Sequence, residues 1–244
     1  MHWKAAHENP NAPAVRSLLR QALADKKRGR IGDCSRFLEE FVTGRKVLDV
    51  GVVQHDLSQV ERPGWKHGRI RGWASKVVGV DILPEQVAEL NARGFDVRCV
   101  DATSDQHLGE TFDRVVLGDV IEHVDSPVAL LTFARRHLTA DGLILCSTPN
   151  PFFISYIVEG LRRGNYIPNA EHVSWISPTM ALELAHRAQL ELKEYWHVQG
   201  EGKTLRRKLA VTLLTALQLR DTEPFSGSFY YIFGLPGGAS AASS

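Results

Sequence analysis

The sequence predicts a doubly wound α/β fold, in which a mostly parallel sheet has helices on both faces. Four apolar runs in the first half of the chain each lead to an aspartate, namely Asp49, Asp81, Asp101 and Asp119. Helix-like segments separate these runs, which is typical of parallel strands that are buried on both faces. Because ligands of open parallel sheets bind beyond the carboxyl ends of the strands, the four carboxylates predict a ligand site there.

Composition limits the classes of partner. The chain has 244 residues, 43% of them hydrophobic, which is enough to bury one substantial core. With 29 Lys and Arg against 28 Asp and Glu, the net charge of +1 favours neither long nucleic acid nor a membrane surface. We expect no membrane span and no signal peptide, and the three dispersed cysteines favour the cytoplasm. The expected partner is a small molecule, and a homodimer is left open.

Residues 1–43 are predicted to form an N-terminal helical extension. Apolar residues recur at helical spacing over 14–27, and Asp33 suits the N-cap of a second helix that stops before Gly44. We expect these helices to act as a lid over the ligand site. The basic cluster at 26–30 is interpreted as a solvated face, with binding of a phosphate as the alternative.

Strands alternate with helices over the next hundred residues. The predicted strands are 46–50, 76–80, 95–100, 112–118 and 143–148. The predicted helices are 65–75, 84–94 and 126–137. Pro84 and Gly94 suit the two ends of the second helix, Ser126 suits the N-cap of the third, and Asp141–Gly142 predicts a turn. This alternation predicts right-handed crossovers between parallel strands.

The second half of the chain is less regular. Ser177 is predicted to cap a helix over 178–189, and the segment 204–219 is predicted to be an amphipathic helix. The last two predicted strands are 191–199 and 228–235.

Domain boundaries follow from these elements. One domain is expected over 44–236, with 150–176 and 200–227 as insertions on the substrate side. The low-complexity residues 237–244 are predicted to be a disordered tail.

Five segments in sequence order resemble the class I S-adenosyl-L-methionine-dependent methyltransferases. They are RKVLDVG, VVGVDILPEQV, VRCVDATS, FDRVVLGDVIEHVDSPVALL and LILCSTPNP, within residues 44–200. Each segment is weak when taken singly, but five of them in family order and at family spacing make the resemblance specific. It implies a Rossmann-like, seven-stranded sheet whose last strand is antiparallel, with S-adenosyl-L-methionine as the cofactor.

The resemblance also assigns residues to the cofactor. These are Asp49, Gly51, His55, Asp81, Ile82, Asp101, Ala102, Leu117 and Gly118. A carboxylate at Asp81 can accept hydrogen bonds from both ribose hydroxyls, although it also suits a helix N-cap. Asp101 matches the position that holds adenine in the family, with a simple turn aspartate as the alternative. Asp49 is expected near the methionine end.

The chain departs from the family beside the first of these motifs. The family has a second glycine two residues after the first, whereas this sequence reads GVVQHD and has Val53 there. One interpretation is a rebuilt loop that brings Gln54 and His55 to the methionine end. The other is a degenerate, non-catalytic scaffold. The retained Asp81 and Asp101 favour the rebuilt loop.

Asp119, Glu122 and His123 are candidates for chemistry at the acceptor. If this stretch is helical, their spacing puts the three side chains on one face. Together with a later histidine, His172, the segment resembles the quinone-biosynthesis O-methyltransferases and the small-RNA 2′-O-methyltransferases, in which such residues hold a divalent metal. The resemblance implies Mg²⁺ or Mn²⁺ at Asp119, Glu122, His123 and His172.

A metal-free mechanism is the alternative, with His123 or His172 as the base and Asp119 beside them, since an oxygen acceptor must lose its proton. We predict an O-methyltransferase that acts on a small-molecule hydroxyl, with a sugar, glycan or glycoside favoured. Methylation of a small metabolite at nitrogen or carbon is the alternative.

Four aromatic residues in the second half of the chain have two interpretations. They are Tyr156, Tyr166, Trp175 and Trp196. They form either a stacking wall for the acceptor or part of the core.

Overall fold

A computed structural model of the chain describes residues 3–53, 57–60, 62–198 and 227–237. The helices are α1 (Pro13–Lys26), α2 (Cys34–Val42), α3 (Lys66–Trp73), α4 (Pro84–Ala92), α5 (Pro127–Arg136), α6 (Ile154–Arg163) and α7 (Pro178–Arg187). The strands are β1 (Lys27–Ile31), β2 (Lys46–Val50), β3 (Lys76–Asp81), β4 (Val97–Cys99), β5 (Phe112–Gly118), β6 (Leu138–Pro149), β7 (Glu191–Val198) and β8 (Ser228–Gly234).

The strands form one sheet in the order β1-β7-β8-β6-β5-β2-β3-β4. Strand β8 is antiparallel to both of its neighbours, β6 and β7, and the other neighbouring pairs are parallel. The doubly wound α/β fold with an antiparallel last strand is therefore confirmed. The sheet has eight strands in the described residues instead of the seven predicted.

The additional strand, β1, lies inside the predicted helical extension. Lys27 pairs in parallel with Tyr195 of β7, and Gly29, at φ 106°, lies where the register shifts. The Arg28 guanidinium donates to the buried Glu194 carboxylate at 2.9 Å. The two helices predicted in this extension correspond to α1 and α2, whereas strand β1 between them was not predicted. A short polar edge strand has no apolar alternation, and pairing with β7 stabilises it instead.

Two local predictions also differ from the structure. The predicted turn at Asp141–Gly142 lies inside β6, where an irregularity in the pairing with β5 accommodates the extra residues. The apolar strand patterns around Cys99 and Cys146 predict that both thiols are buried. Cys146 is buried, whereas Cys99 is exposed because its short strand β4 is at the sheet edge. The predicted helix at 204–219 and the tail from residue 238 lie outside the described residues.

The core lies on both faces of the sheet. On β2, Leu48 packs in the cluster that includes α5 and α7, while its neighbour Val47 packs with Val42 of α2 and Ile70 of α3. Because consecutive residues of a strand point to opposite faces, a strand that is covered on both sides is apolar throughout. This is why the central strands were predictable. None of the described helices is long and apolar enough to cross a membrane.

Glu110 connects the amino ends of three neighbouring strands. Its carboxylate contacts the ammonium groups of Lys46 at 2.8 Å and Lys76 at 2.7 Å, and accepts a hydrogen bond from Arg98 at 2.6 Å. The hydrogen bonds from Lys46, then Lys76, lower the pKa of Glu110 from 4.5 to about 2. This network is at the edge of the sheet opposite the strand-end aspartates.

We predict that Glu110→Gln lowers the free energy of unfolding by about 1 kcal/mol near neutral pH, as for networked ion pairs. Because folding lowers the pKa of Glu110, its stabilisation is complete above 4.5 and is lost as the pH falls toward about 2. Urea unfolding of both proteins should therefore show a difference at neutral pH that vanishes in acid. Glu40→Gln, which removes a charge from an exposed helical pair, is the control and should change little. A difference that persists in acid would contradict the prediction.

Candidate functional site

The strand-end carboxylates form a row along one edge of the sheet. Strands β5, β2, β3 and β4 are neighbours in that order and are parallel in register. They therefore end at the same edge, where Asp119 follows β5, Asp49 is the penultimate residue of β2, Asp81 is the last residue of β3, and Asp101 comes shortly after β4. This is the edge where open parallel sheets bind ligands.

Asp81 is held by two backbone N–H groups. Its Oδ2 accepts from Val53 at 2.8 Å and its Oδ1 from Leu83 at 3.2 Å. The N-cap position of α4 is Leu83, so the structure does not support the helix-cap alternative for Asp81. Val53 is at the position where the family has its second glycine. Its backbone N–H therefore helps to orient the Asp81 carboxylate. Gln54 and His55 lie outside the described residues.

Beside Asp81, this edge presents one exposed apolar side chain just after β3 and one exposed carboxylate just after β4. The Oδ1 of Asp101 accepts from the Thr103 hydroxyl at 2.7 Å and from its N–H at 2.8 Å, and these bonds lower the pKa of Asp101. Ile82 is 63% exposed, whereas Ala102 is buried. A turn carboxylate and an exposed apolar side chain suit the edge and face of a flat heterocycle.

Asp49 is fully buried and paired with a histidine that the sequence analysis did not single out. The Nδ1 of His67, 1% exposed, lies 3.0 Å from Asp49 Oδ2. The other oxygen, Oδ1, has no hydrogen-bond partner among the described residues. No sequence signal indicated this pair, because His67 occupies the second position of α3 and reaches Asp49 only through the packing of that helix.

The neighbouring Lys66 is the second residue that was missed. Its ammonium lies 3.1 Å from the carbonyl oxygen of Gly118 and 3.9 Å from Asp49 Oδ1. Leu117 is fully buried, so its contribution to this edge comes from its backbone. Gly51 has φ 73°, and a Cβ there would lie 2.6 Å from Val120 Cγ2. The site therefore requires glycine at position 51 for both its conformation and its space.

The segment after β5 is a turn, so the predicted helical face was wrong. Asp119 has φ 56°, and the N–H of His123 donates to the Val120 carbonyl oxygen at 3.0 Å. The Ser147 hydroxyl on β6 donates to the Asp119 carboxylate at 3.0 Å, and the Asp119 N–H bonds back to Ser147. These contacts with β6 hold the exposed Asp119 in a backbone conformation that is not that of a right-handed helix.

Glu122 is buried within this turn. Burial, and then the charge of Asp119, raise the pKa of the Glu122 carboxyl to about 7. The carbonyl oxygen of Glu122 accepts from the N–H groups of Val173 at 2.9 Å and Ser174 at 3.3 Å. This backbone contact fixes the loop 164–177 against the turn and brings His172 to the site.

Three of the four predicted metal ligands come together. Ligand atoms of Glu122, His123 and His172 all lie within 4.8 Å of one another. Both Glu122 oxygens and the Nδ1 of His172 are buried without a hydrogen-bond partner among the described residues. Asp119 is not a member of this cluster, because its carboxylate is bonded to Ser147.

Aromatic side chains extend from the cluster. Trp175 makes edge-on contacts with the rings of His172 at 6.0 Å and Tyr156 at 5.7 Å, and Tyr156 stacks on Tyr166 at 5.3 Å. Three of the four predicted aromatic residues therefore form a wall beside the histidines. Trp196 is not part of the wall, since it packs against Phe37.

Comparison with known proteins identifies the class. The Methyltransferase domain family matches residues 17–195, which is most of the chain. The chain therefore belongs to the class I S-adenosyl-L-methionine-dependent methyltransferases. A TehB-like methyltransferase of this cofactor class from Corynebacterium glutamicum shares the fold, with a TM-score of 0.51 and 18% identity over 91% of this chain and 95% of that one.

Curated relatives include enzymes with oxygen and nitrogen acceptors. The chain is 31% identical over 130 residues to a ubiquinone biosynthesis O-methyltransferase of Cereibacter sphaeroides, covering 48% of this chain and 52% of that one. It is 21% identical over 162 residues to an (S)-coclaurine N-methyltransferase of Thalictrum flavum subsp. glaucum, covering 65% and 44%. The chain thus spans about half the length of the curated relatives it matches.

Gly51→Ala is predicted to damage both the fold and the binding of S-adenosyl-L-methionine. Gly44, at φ 69° with open space around it, is the matched control. Gly44→Ala should lose about 1 kcal/mol of stability from backbone strain, while Gly51→Ala should lose a further 1–3 kcal/mol, roughly, from the clash with Val120. Urea unfolding and calorimetric titration with the cofactor measure the two effects. Adding Val120→Ala should recover most of the extra loss, and equal behaviour of the two alanine variants would contradict the prediction.

Proposed function

We propose that the chain transfers the methyl group of S-adenosyl-L-methionine to a ring hydroxyl of a small molecule. The observation that carries the proposal is the cluster of Glu122, His123 and His172, continued by the wall of Tyr156 and Trp175, beside the strand ends. A flat ring can stack on such a wall while its oxygen reaches the histidines. The similarity to ubiquinone biosynthesis O-methyltransferases supports an oxygen acceptor.

The sulfonium of the cofactor is already activated, so the protein has to orient the acceptor and remove its proton. His123 and His172 are in ring contact, with centroids 4.8 Å apart. Burial, and then the neighbouring His123, lower the pKa of His172. His172 is therefore neutral near physiological pH, in the form that accepts a proton. In a metal-free mechanism this pair would be the base, with Asp119 as a nearby anion.

A divalent metal also fits the cluster of Glu122, His123 and His172. Buried polar atoms without partners are costly, and coordination would satisfy the Glu122 oxygens and the His172 Nδ1. One carboxylate and two imidazoles suit Mn²⁺ or a softer transition metal better than Mg²⁺, which prefers oxygen ligands. When bound, such a metal supplies Lewis acidity that lowers the pKa of the acceptor hydroxyl.

The acceptor class has an open alternative. The glycan or glycoside acceptor stays a prediction, since a sugar ring can also stack on aromatic side chains. Nitrogen acceptors are the second candidate, since the (S)-coclaurine N-methyltransferase aligns over 65% of this chain. An amine needs no coordination of neighbouring oxygens, so the two candidates differ in their need for the buried cluster.

We expect methyl transfer from labelled S-adenosyl-L-methionine to a ring hydroxyl of a catechol-like or glycoside acceptor, and little transfer to amines. His123→Ala and His172→Ala should each lower kcat by about 10²- to 10⁴-fold, the usual range for a general base, while the Kd for the cofactor stays unchanged. His186→Ala, on the exposed face of α7, is the matched control. Transfer to amines alone would support the N-methyltransferase alternative. Cofactor binding without transfer to any acceptor would support the scaffold alternative.

Removal of metal gives a separate prediction. Treatment with EDTA should abolish transfer to catechol-like acceptors, and Mn²⁺ should restore it. Titration of the metal-free protein with Mn²⁺, followed by electron paramagnetic resonance, should detect one site that is lost in Glu122→Gln and in His172→Ala. Asp119→Asn should retain that site, because Asp119 is outside the cluster. Full activity in chelator would refute the metal and leave the histidine pair as the base.

A further inference from the structure

Lys66 places a cation among the carboxylates of the strand ends. It is the first residue of α3, and its side chain is 20% exposed. Its ammonium donates to the Gly118 carbonyl oxygen at 3.1 Å and lies 3.9 Å from the buried Asp49 carboxylate. The positive charge also counteracts the rise in the pKa of Glu122. Lys66 is therefore electrostatically connected to both halves of the site.

The lysine side chain lies directly on Gly118. A Cβ at Gly118 would be 2.1 Å from the Lys66 Nζ and 3.1 Å from its Cε. Any other residue at position 118 would displace the ammonium. Glycine at this position thus keeps free a space at the end of β5, and in the structure Lys66 fills it.

The order of the strands indicates which part of the cofactor enters this space. Asp101 follows β4 and Asp81 ends β3, and these are the assigned adenine and ribose positions. The next strands along the sheet are β2 and then β5. A ligand that begins at β4 and extends across the sheet therefore brings its third part, the methionine moiety, to Asp49 and Gly118. That moiety carries an α-ammonium and an α-carboxylate on one carbon atom.

We propose that Lys66 binds the α-carboxylate of the methionine moiety, and that its ammonium leaves its place beside Asp49 and Gly118 to the α-ammonium of the cofactor. The Gly118 carbonyl oxygen and the Asp49 carboxylate, which face the Lys66 ammonium in the structure, can interact with any ammonium group. The four-carbon stem of lysine lets its charge move aside while α3 stays in place. After the exchange, the α-ammonium of the cofactor faces Asp49 and the Lys66 ammonium faces the α-carboxylate, so each of the two positive charges is paired with a carboxylate.

The start of α3 supports an anion at this position. Trp65 at the N-cap makes no side-chain capping hydrogen bond, so the first N–H groups of the helix are not capped in the usual way. A helix N-terminus carries partial positive charge and favours an anion. The contact of Asp49 with His67 holds this end of α3 against the end of β2. The Lys66 ammonium and the helix N-terminus thus act on the same side of the site.

Decarboxylated S-adenosylmethionine tests the proposal directly, because it keeps the adenosine, the sulfonium and the amine and lacks the carboxylate. Calorimetry would give the Kd of both ligands for the wild type, Lys66→Met and Lys66→Arg. We expect Lys66→Met to weaken the binding of S-adenosyl-L-methionine by about tenfold to a hundredfold in Kd, the range for a charge-assisted hydrogen bond. The Kd of the decarboxylated ligand should change by less than about twofold in Lys66→Met. Lys66→Arg should recover most of the affinity.

Arg69→Met is the matched control, since it removes one positive charge from the same helix, where Arg69 lies over Trp73. It should leave the Kd values of both ligands unchanged. Equal weakening of both ligands in Lys66→Met would overturn the proposal, and so would tighter binding of both, which would make Lys66 only a competitor. If Lys66→Met does not fold, the test is made with Lys66→Gln.

The inference rests on the cofactor site and not on the acceptor. Wild-type protein that binds no S-adenosyl-L-methionine would overturn the cofactor assignment. Normal wild-type binding with the same ligand preference in Lys66→Met would overturn only the role of Lys66. Failure to find an oxygen acceptor would leave the role of Lys66 intact.

Discussion

The buried contact between Asp49 and His67 is the interaction on which the proposed cofactor half of the site depends. Both side chains are almost completely excluded from solvent, and leaving a buried polar group without its hydrogen-bond partner costs about 1–3 kcal/mol. The contact joins the end of β2 to the start of α3. Next to it, the Trp65 indole donates to the Val52 carbonyl oxygen at 3.1 Å. Together these bonds fix the chain around Gly51 and hold Lys66 over Gly118.

The acceptor half is built by a different kind of contact. The carbonyl oxygen of Glu122 accepts two N–H groups from the loop that carries His172, and the aromatic wall continues from that histidine. Strand ends and a helix terminus therefore define the proposed cofactor region, whereas docking of a loop defines the proposed acceptor region. Loops tolerate sequence change better than the sheet that they are attached to. This division allows one fold to serve different acceptors, so the acceptor must be argued from the site.

Whether an element could be predicted depended on whether its sequence signal is local. Strands β2, β3 and β5 were predicted to within one residue because they are covered on both faces and are apolar throughout. Strand β1 was missed because KRGRI has no apolar alternation and is stabilised by pairing with β7, far along the chain. The condition that the segment after β5 is helical was not met, because i, i+3 spacing is compatible with a turn as well as a helix. The positive φ of Asp119 accompanies its bonds to Ser147, which is 28 positions later.

The row of aspartates at the strand ends could be read from the amino-acid sequence, since apolar runs and the residues that end them are local features. The roles within that row could not. Asp49 pairs with a histidine 18 positions away, and Lys66 reaches a carbonyl oxygen 52 positions away. Asp119 bonds to Ser147 and stays outside the cluster that Glu122 forms with the two histidines. These arrangements depend on distances between groups that are remote in sequence, and only the packing of helices and loops on the sheet sets such distances.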